Sequence, residues 1–166
     1  MIQATTYLAL GANLGDRAGQ LRRALGMLGP ACTPTLVSPC YETDPAYVFD
    51  QPRFLNLVCR ATTMLDPLSL LHLLKRIESI IGRTPGPRFG PRLVDLDVLF
   101  YDDVILATPE LTIPHPRIAE RAFVLVPLAD IAPDLRHPSL RQTVSELRNH
   151  LGVQWRELRR VEQITL

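Results

Sequence analysis

FLNLVCRATTML (54–65), DPLSLLHLLKRIESIIG (66–82) and LVDLDVLFY (93–101) follow one another along the chain, and their periodicities decide the fold. The first alternates, with Leu55, Leu57, Cys59 and Ala61 on one parity, as in a strand with one face in the core. The second carries Leu70, Leu73, Leu74, Ile77 and Ile81 at helical spacing. Pro67 suits its first turn, and Gly82 suits its end. The third returns to strand character, with Leu96, Val98 and Phe100 expected on the core face. Upstream, a strand over 5–10 leads through the turn Gly11-Ala12-Asn13-Leu14-Gly15-Asp16 into a helix with Leu21, Leu25 and Leu28. Gly29-Pro30 ends that helix, and a second strand is expected over 35–43. The order is βαββαβ, which predicts an α+β fold with a ferredoxin-like antiparallel sheet.

Beyond residue 101 the pattern is less regular. A proline-rich crossing segment runs over 109–116. Helical patterns over 122–132 and 140–151 are expected to cover the other sheet face, so that helices flank both sides, and the tail over 153–161 reads as an edge strand.

Bulk composition narrows the function classes. The 166 residues suit one domain, which at this size buries roughly 70% of its unfolded surface. Net charge is +1, from 18 cations and 17 anions, which argues against a broad nucleic-acid-binding face. Cys32, Cys40 and Cys59 form no CxxC pair, and an odd count of thiols fits a reducing compartment. The first residues lack the pattern of a secretory leader, and no stretch approaches the roughly 18 apolar residues of a membrane span. A cytoplasmic monomer acting on small molecules, away from nucleic acid and membranes, is the expectation.

The chemistry concentrates at Val94-Asp95-Leu96-Asp97-Val98. In a strand, i and i+2 point the same way, so Asp95 and Asp97 project together, about 6.6 Å apart. Two neighbouring carboxylates repel and favour a cation between them. Magnesium takes one or two carboxylates together with substrate phosphates. Just upstream, Arg83-Thr84-Pro85-Gly86-Pro87-Arg88-Phe89-Gly90-Pro91-Arg92 holds three arginines and no acid. Guanidinium forks match phosphate oxygens. A cationic loop entering a carboxylate pair is the equipment of phosphoryl transfer. Alone, either feature also reads as a solvated polar surface.

Three further segments add polar and aromatic groups. Leu111-Thr112-Ile113-Pro114-His115-Pro116-Arg117 fixes a histidine between prolines, and Arg121 and Phe123 follow. Tyr41-Glu42-Thr43-Asp44-Pro45 precedes a two-proline loop over 44–53. Phe54 and Asn56 then share a strand face, where a flat heteroaromatic ring would stack on one and pair its edge with the other. The turn after the first strand matches neither a dinucleotide fingerprint nor a phosphate-binding P-loop, and Asn13 is its candidate buttress.

LGANLGD (10–16), YETDP (41–45), QPRFLN (51–56), IESIIGR (77–83), FGPRLVDLDVLFYDD (89–103), LTIPHPR (111–117) and RAFVLVPLADIAPDL (121–135), taken together, resemble the 6-hydroxymethyl-7,8-dihydropterin pyrophosphokinase family of folate biosynthesis. The GPR-x-x-D-x-D and IPHPR strings, in this order and spacing, are the specific part. The resemblance implies transfer of pyrophosphate from ATP, the co-substrate, to a pterin alcohol, giving AMP and the pterin pyrophosphate. It implies that Asp95 and Asp97 hold two magnesium ions and that Arg83, Arg88 and Arg92 lie along the triphosphate, with Arg83 and Arg92 catalytic. It assigns His115, Arg121, Thr112, Leu71, Lys75 and Glu78 to the ATP site. It places the pterin between Phe54 and Phe123, read by Asn56 and Thr43 with Asp44, Pro45, Tyr47 and Asp95 around it. A ferredoxin-like nucleotide sensor that binds ATP without turnover is the competing reading, and an RNA-binding sheet is disfavoured by the paired carboxylates.

Overall fold

The computed structural model describes residues 3–82, 90–152, 158–161 and 164. Arg83, Arg88, Phe89 and Trp155 therefore lie outside the described residues.

The chain forms β1 (Ala4–Ala12), α1 (Arg17–Leu28), β2 (Cys32–Val37), β3 (Tyr41–Thr43), β4 (Phe54–Thr63), α2 (Pro67–Ile81) and β5 (Asp95–Tyr101). A short hairpin of β6 (Leu106–Ala107) and β7 (Thr112–Ile113) follows, and the Ile113–Pro114 peptide is cis. Then come α3 (Ala122–Ile131), α4 (Val144–His150) and β8 (Arg159–Arg160). The main sheet runs β5-β1-β4-β3-β8, with β2 also pairing β4, and every pairing is antiparallel.

The helix boundaries follow from their caps. Asp16 caps α1 by accepting from the Gly19 N–H, and Asp66 caps α2 by accepting from Leu68 and Ser69. Gly82 closes α2 in the left-handed conformation, φ 113°, where a β-carbon would also press on Leu93 at 3.2 Å. The last helix begins at Val144, later than the expected 140. Thr143 and Glu146 form a reciprocal capping box, which leaves residues 140–143 as the preceding turn.

Two apolar layers sandwich the sheet. Leu8, Leu10, Leu57, Cys59, Leu96 and Val98 pack against Leu21, Leu25 and Leu28 of α1 and Leu70, Leu74 and Ile77 of α2. On the other face Val58, Leu99 and Phe100 pack against Val124, Leu125 and Leu128 of α3 and Val144 and Leu147 of α4.

The structure corrects two strand readings. The expected strand over 35–43 starts at Cys32 and breaks at Ser38-Pro39-Cys40, where three residues face the Val58 region. Pro39 cannot donate to a ladder. Ser38 bridges the break instead: its N–H donates to the Val58 carbonyl and its Oγ accepts from the Val58 N–H, both at 2.9 Å. Phe100 lies on the face opposite to that expected. The register of β5 on β1 shifts between Leu8↔Val98 and Tyr7↔Phe100, a bulge that turns Leu99 and Phe100 together towards α3. Phe100 there meets Tyr7 and His137 edge-on. Of the expected edge strand over 153–161, Arg159–Arg160 pairs with β3, while residues 153–157 lie outside the described set.

Candidate active site

The sheet register assembles the site. Gly11 of β1 stands between Asn56 of β4 and Asp95 of β5, and Ala9 stands between Val58 and Asp97. Thr43 of β3 faces Phe54. Directly opposed residues share a face, so Asp95, Asp97, Asn56, Phe54 and Thr43 all project on the α3 side, with Ala9 and Gly11 as a shallow floor. A cleft of about 300 Å³ opens there. It is lined by those seven residues and by Asp44, Tyr47, Lys75, Arg92, His115, Arg121 and Phe123. Gly90, Gln51, Ala46 and Val124 complete most of its wall.

Asn56 is oriented before any ligand arrives. Its Nδ2 donates to Thr43 Oγ1 at 2.8 Å, and its Oδ1 lies over Gly11, where a β-carbon would come within 2.8 Å. Glycine at position 11 is thus required by close approach rather than by backbone angle.

Two loops reach the cleft, and Asn13 ties them together. Its Nδ2 donates to Gln51 Oε1 and to the Pro52 carbonyl, both at 3.0 Å, while its Oδ1 accepts from the Arg92 N–H at 2.7 Å. The Asn13 N–H returns a bond to the Arg92 carbonyl. Arg17 secures the other end of loop 44–53 by donating to the Arg53 carbonyl and to Glu42 at 2.8 Å. That contact with Arg17 holds the Glu42 carboxyl below its ordinary range.

The Asp95–Asp97 strand lies at the end of the sheet, so among the described residues no strand pairs with the outer side of the Leu96 backbone between the two aspartates. The α2 side chains take that role. Buried Glu78 accepts from the Leu96 N–H at 2.7 Å, and Lys75 donates both to Glu78, at 2.9 Å, and to the Leu96 carbonyl, at 3.1 Å. Burying a carboxylate is costly unless it is hydrogen-bonded and paired, and Glu78 is both. It braces the strand that bears the aspartates and does not line the cleft.

His115 is held from its backbone and its ring. Its N–H donates to the carbonyl of Leu99, the bulge residue, at 3.0 Å, and its Nδ1 accepts from the Arg117 N–H at 3.2 Å. The neutral ring therefore carries its proton on Nε2. Burial, then the charges of Arg121 and Arg117, push its pKa down to about 4, so the ring is neutral at physiological pH. Nε2 lies 3.5 Å from Arg121 Nη1. Both groups are donors, a pairing that suits a shared anionic oxygen. Tyr47 packs beneath the cations, with the Arg117 guanidinium 4.5 Å and that of Arg121 5.8 Å from its ring centre. Arg121 also lies 5.5 Å from the Phe123 ring.

Most of the residues expected at the site converge on this cleft. Four do not line it. Pro45 is buried beside it, Leu71 packs into the α1–α2 layer, Thr112 is exposed in β7 and Glu78 braces Leu96. Arg83 and Arg88 lie outside the described residues. Gly11, Ala9, Gln51 and Val124 were not expected. Only Gly11 left a signal, a glycine at the end of an otherwise apolar strand.

Paired carboxylates thus face cationic and imidazole donors across an aromatic-walled cleft. Residues 7–133 match the family model described as 7,8-dihydro-6-hydroxymethylpterin-pyrophosphokinase, and the chain belongs to that family. It is 48% identical over 127 residues to the Bacillus subtilis 2-amino-4-hydroxy-6-hydroxymethyldihydropteridine pyrophosphokinase, covering 75% of this chain and 76% of that one. It is 41% identical over 145 residues to the folic acid synthesis protein FOL1 of Dictyostelium discoideum, where the match covers 87% of this chain but only 22% of the relative. The fold is similar to a crystal structure of Plasmodium falciparum HPPK-DHPS with pteroate, with TM-score 0.79 and 19% identity, covering 96% of this chain and 46% of that one. No described helix is long and apolar enough to cross a membrane.

Proposed function

We propose that this chain transfers the pyrophosphoryl group of ATP to the hydroxymethyl group of 6-hydroxymethyl-7,8-dihydropterin, releasing AMP. What carries the reading is that one cleft joins the Asp95–Asp97 pair to a donor cluster, His115 with Arg121, and to an aromatic and amide cluster, Phe54, Phe123, Asn56 and Thr43. The first cluster suits phosphates. The second suits a flat ring with hydrogen-bonding edges.

The nucleotide takes the side of His115, Arg121, Lys75 and Arg92, with Arg83 and Arg88 as further phosphate partners from the adjoining loop. The pterin ring stacks between Phe54 and Phe123, and the pre-oriented Asn56–Thr43 pair reads its edge. Holding the two reactants in line removes most of the entropic cost of their encounter. Arg92 stabilises charge that develops between the α- and β-phosphates, a role for which its doubly pinned backbone prepares it. His115 offers its Nε2–H as a donor to a phosphate oxygen.

Asp95 and Asp97 fit magnesium. They are hard oxygen donors, two in number, and would hold the ion together with phosphate oxygens and water, as this ion prefers. Two such ions would neutralise the triphosphate and lower the pKa of the acceptor hydroxyl. The strand order β5-β1-β4-β2/β3 supports a ferredoxin-like core, and we read the chain as one domain acting as a cytoplasmic monomer.

The test is incubation with ATP, magnesium and the pterin alcohol, with nucleotides separated by chromatography and Asp97→Ala as control. AMP that forms only with pterin, and is lost in the variant, is expected. ADP in its place overturns the bond assignment. Saturable ATP binding with no turnover marks a sensor.

A further inference from the structure

The pterin site proposed above is built from two bodies distant in sequence. Phe54, Asn56 and Thr43 belong to the sheet, whereas Phe123 is the second residue of α3. A ring sandwiched between them needs a fixed gap and a fixed helix rotation. The apolar contacts of α3 with Val58 and Leu99 hold it down. Such contacts are non-directional and leave sliding and rotation weakly determined.

A directional bond joins the two bodies. Tyr41 Oη donates to Asp130 Oδ2 at 2.6 Å, across 89 residues of sequence. Tyr41 is buried and stands directly opposite Asn56 in the β3–β4 register, two residues before Thr43. Asp130 sits near the far end of α3, seven residues after Phe123. The length is that of a charge-assisted bond, the stronger kind. Burial, reinforced by the bond to Asp130, pushes the Tyr41 phenol up to about 12, so it remains a donor throughout the working pH range. Neither residue lines the cleft.

We propose that Tyr41 and Asp130 are positioning residues for the acceptor substrate: their hydrogen bond sets the spacing and rotation of α3 over the sheet, and with them the slot between Phe123 and the Asn56–Thr43 pair. The inference rests on the pterin reading of that slot. It assigns the bond a larger effect on the pterin than on ATP: of the ATP-side residues Arg121 caps α3 and moves with it, whereas His115 and Arg92 are fixed by Leu99 and Asn13.

The test measures steady-state kinetics for both substrates, and direct pterin binding by fluorescence, in wild type, Tyr41→Phe, Asp130→Ala and Asp130→Asn. Tyr41→Phe and Asp130→Ala are expected to raise the pterin KM and Kd on the order of tenfold, with a clearly smaller rise in the ATP KM and kcat within about twofold of wild type. Asp130→Asn retains an acceptor for the Tyr41 hydroxyl and is expected to stay within about twofold on every parameter. A pterin KM unmoved by Tyr41→Phe overturns the proposal, as does an equal loss for both substrates or an Asp130→Asn as damaged as Asp130→Ala. A wild type that neither binds nor uses the pterin would remove the substrate reading and this inference together. A wild type that turns over, with Tyr41→Phe unaffected, removes this inference alone.

Discussion

The two faces of the sheet are carried by the same strands, yet one is closed from end to end and the other changes character halfway. Under α1 and α2, Leu8, Leu10, Leu57, Cys59, Leu96 and Val98 form one continuous apolar layer. On the opposite face each central strand switches from core to site. In β4 the switch falls between Val58 and Asn56, in β1 at Ala9, which packs on the core and also lines the cleft, and in β5 between the Leu99–Phe100 bulge and Asp97, one residue pair earlier than in β4. Past these points the cleft begins. The closed face supplies stability for the whole sheet. The open half is thereby free to hold like charges side by side, which no apolar layer would tolerate.

That division of labour can be broken at several points. The largest effect belongs to the open face: Asp95→Ala or Asp97→Ala should lower kcat/KM by about three orders of magnitude or more while changing the melting temperature far less than a core truncation does, since both side chains line the cleft. Parallel assays and thermal melts check both halves of that statement. Leu8→Ala on the closed face should do the converse. It should cost about 2–5 kcal/mol in denaturant unfolding and leave the specific activity of the folded fraction intact. If Leu8→Ala instead abolished catalysis at full stability, the separation of the faces would be wrong.

Gly11→Ala sharpens the boundary between them. Its new methyl would meet Asn56 Oδ1 at 2.8 Å and turn the amide away from Thr43. The pterin KM should rise about tenfold, a loss of roughly 1.4 kcal/mol, with a smaller change in ATP affinity. Isothermal titration with each substrate distinguishes this from general loosening.

The smallest effect is one of pH. His115 has a folded pKa of about 4 against an ordinary 6.5, so between those values the unfolded chain binds the proton first. Stability on this account is fully present above 6.5, declines as pH falls towards about 4, and changes no further below that. Buried His137, also depressed by burial, acts in the same direction. Replacing His115 with Gln should flatten the loss of stability between pH 7 and 5 by on the order of 1 kcal/mol, read by urea unfolding at the two pH values. An unchanged slope would mean that the imidazole is solvated and its proton is freely gained.

How much of this is legible in the sequence differs between the faces in the same way. The closed face reads directly, because Leu55, Leu57, Cys59 and Ala61 alternate without interruption and the helices opposite repeat at their own period. The open face breaks the alternation, and its charged end was found through Asp95, Asp97 and the arginines rather than through pattern. Features that depend on three-dimensional register stayed hidden. The bulge that turns Phe100 over inserts one residue with no sequence mark. The Ser38–Cys40 break has only Pro39 as a sign. Glu78 falls on the inner side of α2, but nothing local reveals that it accepts from Leu96, or that Tyr41 donates to Asp130 across 89 residues.

The claim at the centre of this account is that the open half of the sheet moves two phosphoryl units as one. Phosphorus NMR of a completed reaction with ATP, magnesium and the pterin alcohol reads that directly. The account predicts a pterin product with two mutually coupled phosphorus resonances, together with AMP carrying a single one. A pterin bearing one uncoupled phosphorus alongside ADP would contradict it.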